Sequence, residues 1–256
     1  MEKQLAAAPR LSDAQLHEVL ALVDDADSVE LKLTLPAASQ RPAIAELRLD
    51  PLEAQIRQVF FFDTPELALY EHGLVARVRR VQARSDDSVV KLRPVVPAQL
   101  PRKLRRTPGF NVEVDAMPGG FVCSSSLKGT PPADARRTLE GGGPLRKLFT
   151  REQRQLFADQ APEGVELDDL SVLGPIFVLK LRFTPPELGR KFVAELWLYP
   201  DGSTILELST KCPPAEAFDT AARTRAFLAE HGIPLAGDQE PKTRHALEYF
   251  AGALTD

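Results

Sequence analysis

Charged side chains recur two positions apart along this chain, set between large aliphatic residues. Glu30 and Lys32 stand in Ser28-Val29-Glu30-Leu31-Lys32-Leu33-Thr34-Leu35. Arg77 and Arg79, then Lys91 and Arg93, repeat the spacing. Glu113 and Asp115, Lys180 and Arg182, and the trio Glu207, Ser209 and Lys211 do so further on, and Glu195 opens a similar run with Trp197 and Tyr199. In an extended strand, residues two apart share one face and the aliphatics between them take the other. Eight basic residues are placed this way: Lys32, Arg77, Arg79, Lys91, Arg93, Lys180, Arg182 and Lys211. Five acids join them: Glu30, Glu113, Asp115, Glu195 and Glu207. Burying such a set is costly unless the charges pair or a ligand neutralises them. A polyphosphate with a divalent cation meets that requirement. Arginine forks grip phosphate oxygens, lysine adds point charge, and carboxylates hold Mg2+ or Mn2+ through oxygen. The matching chemistry is metal-assisted attack on phosphorus.

Two architectures could position these pairs. An antiparallel sheet could pack its aliphatic face on a core and show its charges to water. Alternatively the sheet closes into a barrel with charges inside and helices on its apolar outside. Periodicity does not separate the two.

Along the chain, Ser12 suits the N-cap of a helix over about 13–23. Strands are expected at about 28–35 and 44–49, with a turn from Pro36 to Pro42. Phe60-Phe61-Phe62-Asp63 ends an apolar strand. Thr64 and Pro65 then open a short helix that Gly73 ends. The Arg77/Arg79 strand turns at Asp86-Asp87 into the Lys91/Arg93 strand as a hairpin. Residues 94–109, Pro-rich and basic, read as a solvated loop. Residues 119–143 read as loops around a short helix near 133–139. A helical turn is expected at 145–149. A strand over 151–158 follows, with Arg151, Gln153 and Gln155 on one face. Strands near 176–183, 192–199 and 203–211 come next, the last two joined by the turn Pro200-Asp201-Gly202-Ser203. Amphipathic helices over 215–230 and 243–254 close a single domain spanning 1–256. Trp197 is either a structural aromatic or a platform for a base.

The composition narrows the function class. The 256 residues are 43% hydrophobic and 27% charged, which is globular composition. A net charge of -4 argues against a nucleic-acid polymer as partner. The basic residues concentrate in the strand pairs, which suits a small anionic molecule. Two cysteines, Cys123 and Cys212, fit a reducing compartment. No apolar run reaches membrane-spanning length and no secretion signal is visible, so the expectation is a cytoplasmic protein with no membrane partner. No Walker-type phosphate loop or serine nucleophile elbow is present. His17, His72, His231 and His245 have no metal-ligand spacing.

The pattern resembles the CYTH superfamily, the triphosphate tunnel metalloenzymes, which include class IV adenylate cyclases, thiamine triphosphatases and inorganic triphosphatases. Its Glu-x-Glu-x-Lys first strand is similar to Ser28, Glu30 and Lys32. Its aromatic-Asp-Thr-Pro segment, short helix and Arg-x-Arg strand resemble Phe62-Asp63-Thr64-Pro65 through Arg77 and Arg79. Lys91-Leu92-Arg93 resembles its following basic strand, and Glu207-Leu208-Ser209 its late Glu-x-Glu strand. The likeness is tight over about 28–93 and looser over 145–211. It implies an α+β protein built on a closed, eight-stranded antiparallel barrel, with a charged tunnel and helices outside. It further implies metal-dependent hydrolysis of a small organic or inorganic triphosphate. Glu30, Lys32 and Glu207 would be catalytic. Arg77, Arg79, Lys91, Arg93, Arg151, Lys180, Arg182 and Lys211 would bind substrate. Glu30, Glu195 and Glu207 would hold Mg2+ or Mn2+. Ser28 and Ser209 replace two of the family's glutamates, and serine is a weak neutral ligand. A non-catalytic nucleotide or polyphosphate binder and a class IV-type adenylate cyclase are therefore the alternative readings. Monomer and homodimer both remain open.

Overall fold

A computed structural model describes residues 13–141, 143–235 and 242–255. The described residues form a closed barrel of nine strands. These are β1 (Ser28–Leu35), β2 (Gln55–Asp63), β3 (Leu74–Val81), β4 (Asp87–Leu92), β5 (Phe110–Met117), β6 (Gly120–Gly129), β7 (Ser171–Phe183), β8 (Phe192–Leu198) and β9 (Thr204–Cys212). Around the barrel they run β1-β5-β6-β4-β3-β2-β7-β8-β9, and β9 returns to β1. Every pair is antiparallel except β1 with β5. The expected barrel of eight antiparallel strands is corrected to nine in a mixed sheet. After β4 the chain runs past the cluster under α1, where Val95 and Leu100 pack, and lays β5 parallel to β1. A turn at Pro118-Gly119 then folds β6 back against β4. The strand missed from the sequence is β6, whose Ser124-Ser125-Ser126 run lacks the branched and aromatic residues that mark strands.

The helices are α1 (Asp13–Asp24), α2 (Ala37–Glu46), α3 (Ala68–Glu71), α4 (Arg102–Arg105), α5 (Ala135–Leu139), α6 (Arg151–Gln160), α7 (Ala217–Glu230) and α8 (Lys242–Thr255). The expected cap of α1, Ser12, lies outside the described residues. Val19 and Val23 of α1 pack on Val29, Val112 and Val114. Ala43 of α2 and Phe227 and Leu228 of α7 cover Leu33, Leu35, Leu206 and Leu208. Leu139 of α5 and Leu156 and Phe157 of α6 cover Phe60, Phe62, Leu74, Ala76 and Val78. Aliphatic outer faces thus sit under helices, while the charged positions alternate inward. α8 is different. Its Ala246 and Leu247 pack against Val59, Phe61, Ile176, Trp197 and Ile205, which share strand parity with the inward charges, so α8 closes one end of the barrel. No described helix is long and apolar enough to cross a membrane.

Two expected strands are helical. Residues 44–49 fall in the end of α2 and the turn after it, because Ala43, Ile44 and Leu47 also satisfy a helical stripe and pack on the cluster under α2. Residues 151–158 form α6. Thr150 and Gln153 make a capping box: Thr150 Oγ1 accepts from the Gln153 amide at 3.3 Å, and Gln153 Oε1 accepts from the Thr150 amide at 2.9 Å. That spacing was present in the sequence.

Asp63 sets the entry to α3. Its carboxylate accepts from the amides of Thr64 and Leu69 at 2.8 Å and of Tyr70 at 3.0 Å, while Thr64 Oγ1 accepts from Ala68 at 3.1 Å. Gly73 then turns the chain with φ +71, and a Cβ there would lie 2.4 Å from the Arg93 carbonyl oxygen. The Arg93 amide donates to the Gly73 carbonyl at 2.8 Å, which ties β4 to the start of β3.

Gln153 is 0% exposed and joins α6 to the barrel. Its Nε2 donates to the carbonyls of Ser88 at 3.0 Å and Leu127 at 2.9 Å, and its Oε1 accepts from Ser88 Oγ at 2.8 Å. Gln153→Leu strips these groups of their buried partner and is expected to lower unfolding free energy by roughly 2–4 kcal/mol in urea. A loss below about 0.5 kcal/mol would contradict the clamp.

Candidate functional site

The barrel encloses a cavity of about 1160 Å³ lined by eleven lysines and arginines and five glutamates. Nearly every residue picked from the sequence faces it. Glu30 and Lys32 come from β1, Arg77 and Arg79 from β3, Lys91 from β4 and Arg93 from the residue after it. Lys180 and Arg182 come from β7, Glu195 from β8, and Glu207 and Lys211 from β9. Arg151 does not. It begins α6 on the barrel's outside and is exposed, because the segment read as a strand is a helix. Three residues that the spacing did not pick join the site, Arg57 of β2, Lys128 of β6 and Lys242 of α8, and Glu113 of β5, picked as a paired acid but given no role, lines it too. Arg57 shares the parity of Val59 and Phe61, and Lys128 that of Ser124 and Ser126, so both were open to a strand reading. Lys242 had no local signal, since only the docking of α8 brings it in.

Two ion networks occupy the interior. In the first, the parallel β1–β5 register sets Glu30 beside Asp115 and Ser28 beside Glu113. Asp115, 0% exposed, receives Lys32 Nζ at 2.7 Å, Arg93 Nη1 at 2.8 Å and Lys91 Nζ at 3.7 Å. Lys32 also lies 3.1 Å from Glu30, Lys211 pairs with Glu113, and Ser28 Oγ donates to Glu113 at 3.2 Å. Burial alone would raise the Glu30 carboxyl, but Lys32, Lys211 and Lys242 outweigh it and hold it at about 2. Burial likewise opposes the charge on Lys32, and Glu30, Asp115 and Glu207 override it and raise its pKa.

The second network lies against the plug. Glu195 faces Glu207 across β8–β9. Lys242 Nζ bridges them at 2.6 and 2.7 Å, and Lys180 adds a contact to Glu195 at 2.8 Å. Lys242 also stands 5.0 Å above the Trp197 ring, which stacks on Phe61. Trp197 is therefore a structural aromatic of the plug.

The opposite wall has too little negative charge. Arg77 has no ion-pair partner among the described residues, and its Nε is buried without a hydrogen bond. Burial, then neighbouring Arg79, pulls its pKa down to about 9. Burial outweighs Asp115 at Lys91 and brings it to about 8. Arg57, bonded only to the Gln55 side chain at 3.0 and 3.2 Å, is also lowered by burial and by Arg79. Cations held this way favour a bound anion.

The carboxylates also fit a divalent cation, but not in the expected grouping. Oxygens of Glu30, Glu113 and Asp115 lie within 4.8 Å of one another. That is an oxygen-only donor set of the kind Mg2+ and Mn2+ take. Glu207 sits opposite Thr34, further along β1 than Glu30, and Glu195 and Glu207 are bridged by Lys242. Only Glu30 belongs to both the expected set and the cluster. The parallel pairing of β1 with β5, which no local pattern announces, causes the difference.

No protein-family model matches the chain, and no curated protein matches it in sequence. Solved structures do. A candidate adenylyl cyclase from Hippeastrum, HpAC1, described as having a dominant triphosphatase activity, superposes with a TM-score of 0.62 at 18% identity, covering 86% of this chain and 95% of its own. A candidate adenylate cyclase from Bacillus halodurans gives 0.57 at 12% identity, covering 85% and 98%. The barrel thus shares its fold with proteins named adenylyl cyclase and triphosphatase.

Proposed function

We propose that the protein hydrolyses a small organic or inorganic triphosphate in a divalent-metal-dependent reaction inside the tunnel. The observation that carries this reading is Arg77, a buried guanidinium with no ion-pair partner among the described residues, on a wall that also holds Arg57 and Lys91. Only an anion with several charges relieves all three together. Glu30, Glu113 and Asp115 would hold Mg2+ or Mn2+, which supplies charge neutralisation at the phosphoryl oxygens and orients the attacking water. Arg77, Arg79 and Lys91 fix the phosphates, and Arg93 and Lys32 hold Asp115 ionised. The enclosing barrel limits access of bulk water and strengthens every charge contact inside it.

A second reading, binding without turnover, is favoured by Ser28, Ser209 and the Lys242 bridge, which leave the late-strand acids without a free position for metal. Triphosphate binding with no product in Mg2+ or Mn2+ decides for it. Cyclic AMP and pyrophosphate, in place of orthophosphate, decide for a cyclase.

Phosphate release from tripolyphosphate or a nucleoside triphosphate is expected to need Mg2+ or Mn2+ and to stop with a chelator. Arg77→Ala and Glu30→Ala are each expected to lower kcat/KM by about 10²–10³-fold. Full activity in either variant would refute the assignment.

The lowered pKa of Arg77 has a sign for stability. A base whose folded pKa lies below its unfolded value costs stability while it stays protonated, here at any pH below about 9. Arg77→Met is therefore expected to raise Tm at neutral pH by about 2–4 °C while abolishing the Tm rise that triphosphate gives the parent. A lower Tm for the variant would contradict the uncompensated charge. Lys91, at about 8, is partly neutral in the ligand-free tunnel near that pH. A bound phosphate restores its proton, so calorimetry in buffers of different ionisation heat should read proton uptake that Lys91→Met removes.

A further inference from the structure

Because the charges of this barrel point inward, its outer face is apolar and has to be covered. The helices leave one stretch of that face bare. Outward positions of β2, β7 and β8 meet there: Ile56 lies beside Leu179, Gln58 beside Phe177, and Phe177 beside Leu198. Ile56 is 41% and Phe177 44% exposed. Next to them Leu52, in the turn Pro51–Glu53 that leads into β2, is 93% exposed. Leu179 and Leu198 are half-buried. None of these five apolar residues belongs to a cluster that the described helices cover. No outward position of β2, β7 or β8 within 56–58, 177–183 and 192–198 is charged. A lone exposed leucine needs no explanation, whereas a contiguous apolar face rimmed by charges marks a contact surface.

The rim indicates the partner. On the β3 side of the face stand Arg80 and, past the strand end, Arg84. On the β7 side, against which the turn Pro51–Glu53 rests, stand Asp50 and Glu53. Both sets lie near the level of Ile56. The Gln82 amide donates to the Ile56 carbonyl at 3.0 Å, and Glu53 comes shortly before Ile56 in the chain. Arg84 and Glu53 are exposed and have no ion-pair partner among the described residues. A partner of one charge sign, such as an anionic membrane, would meet repulsion at Asp50 and Glu53. A second copy satisfies both signs. Turned over by a two-fold axis running along the strands, it lays its β3 side on the first copy's β7 side. The apolar faces then stack, and Arg84 of each copy meets Glu53 of the other.

We propose that the outer face of β2, β7 and β8, centred on Leu52, Ile56 and Phe177, is the interface of a two-fold homodimer whose rim pairs Glu53 with Arg84. These side chains point away from the tunnel, opposite to Arg57 and Lys180 on the same strands, so the inference does not depend on the triphosphatase reading. Five apolar side chains with a charged rim form a small interface, of the kind that associates reversibly.

Sedimentation velocity of the full chain over about 1–200 µM tests it, with an expected monomer–dimer Kd of about 1–50 µM. Ile56→Asp and Phe177→Asp are each expected to raise Kd by about tenfold or more, with circular dichroism unchanged. Glu53→Arg and Arg84→Glu, at exposed positions that leave folding alone, should each raise it by about three- to tenfold, and the two together should return it to within about twofold of the parent. A dimer that Ile56→Asp and Phe177→Asp leave intact, or a double charge variant no tighter than the single ones, overturns the proposal. So does a monomer throughout the range. In that case a Phe177→Cys thiol that maleimide cannot reach assigns the face to another segment of the same chain.

Discussion

Charges gathered inside a barrel must find opposite charge within a few ångströms, or the fold bears the cost of taking them out of water. Here that requirement is met on one side of the tunnel and left open on the other. Asp115 collects Lys32, Lys91 and Arg93, and Glu195 with Glu207 collects Lys180 and Lys242. Arg77 and Arg57 receive no carboxylate within ion-pair distance among the described residues. Burial opposes the cation at every one of these sites: it outweighs the nearby acids at Arg77, Arg57, Lys91 and Lys180, whose pKa values are lowered, and is outweighed at Lys32 and Lys242, each of which sits between two or more carboxylates.

The rest of the architecture serves that distribution. Helices cover the aliphatic outer faces, so the strands can turn their charged faces inward without exposing a core. The β5–β6 hairpin, wedged between β1 and β4, supplies Glu113 and Asp115 at the level of Glu30. α8 closes one end with Ala246 and Leu247 and inserts Lys242 as a resident cation between two acids. Gly73 brings the carbonyl of Arg93 against the start of β3, which sets Arg93 within reach of Asp115. An interior assembled this way carries unmet positive charge, which is the physical basis for reading it as an anion site.

Much of this was legible in the residue order. The two-residue spacing of the charges predicted which side chains share a strand face, and twelve of the thirteen charged residues chosen on that ground line one cavity. Arg151 failed because a short amphipathic run is ambiguous between strand and helix, and the Thr150–Gln153 box that breaks the tie was overlooked. β6 was hidden because its inward positions are serines, fitted to a crowded polar interior instead of a core.

The alternation of charge and aliphatic side chains, decided locally by the geometry of an extended backbone, was determined by the sequence alone. So were the hairpin turns, the short helix after Asp63 and the helices near the C-terminus. Whether the charged faces look inward or outward was not, because one strand's pattern is the same in an open sheet and in a closed barrel. The parallel contact of β1 with β5, the grouping of Glu30 with Glu113 and Asp115, and the arrival of Lys242 between Glu195 and Glu207 were decided only by tertiary structure. Each joins segments about 35 to 85 residues apart, and no local period can encode which distant strand or helix end becomes a neighbour.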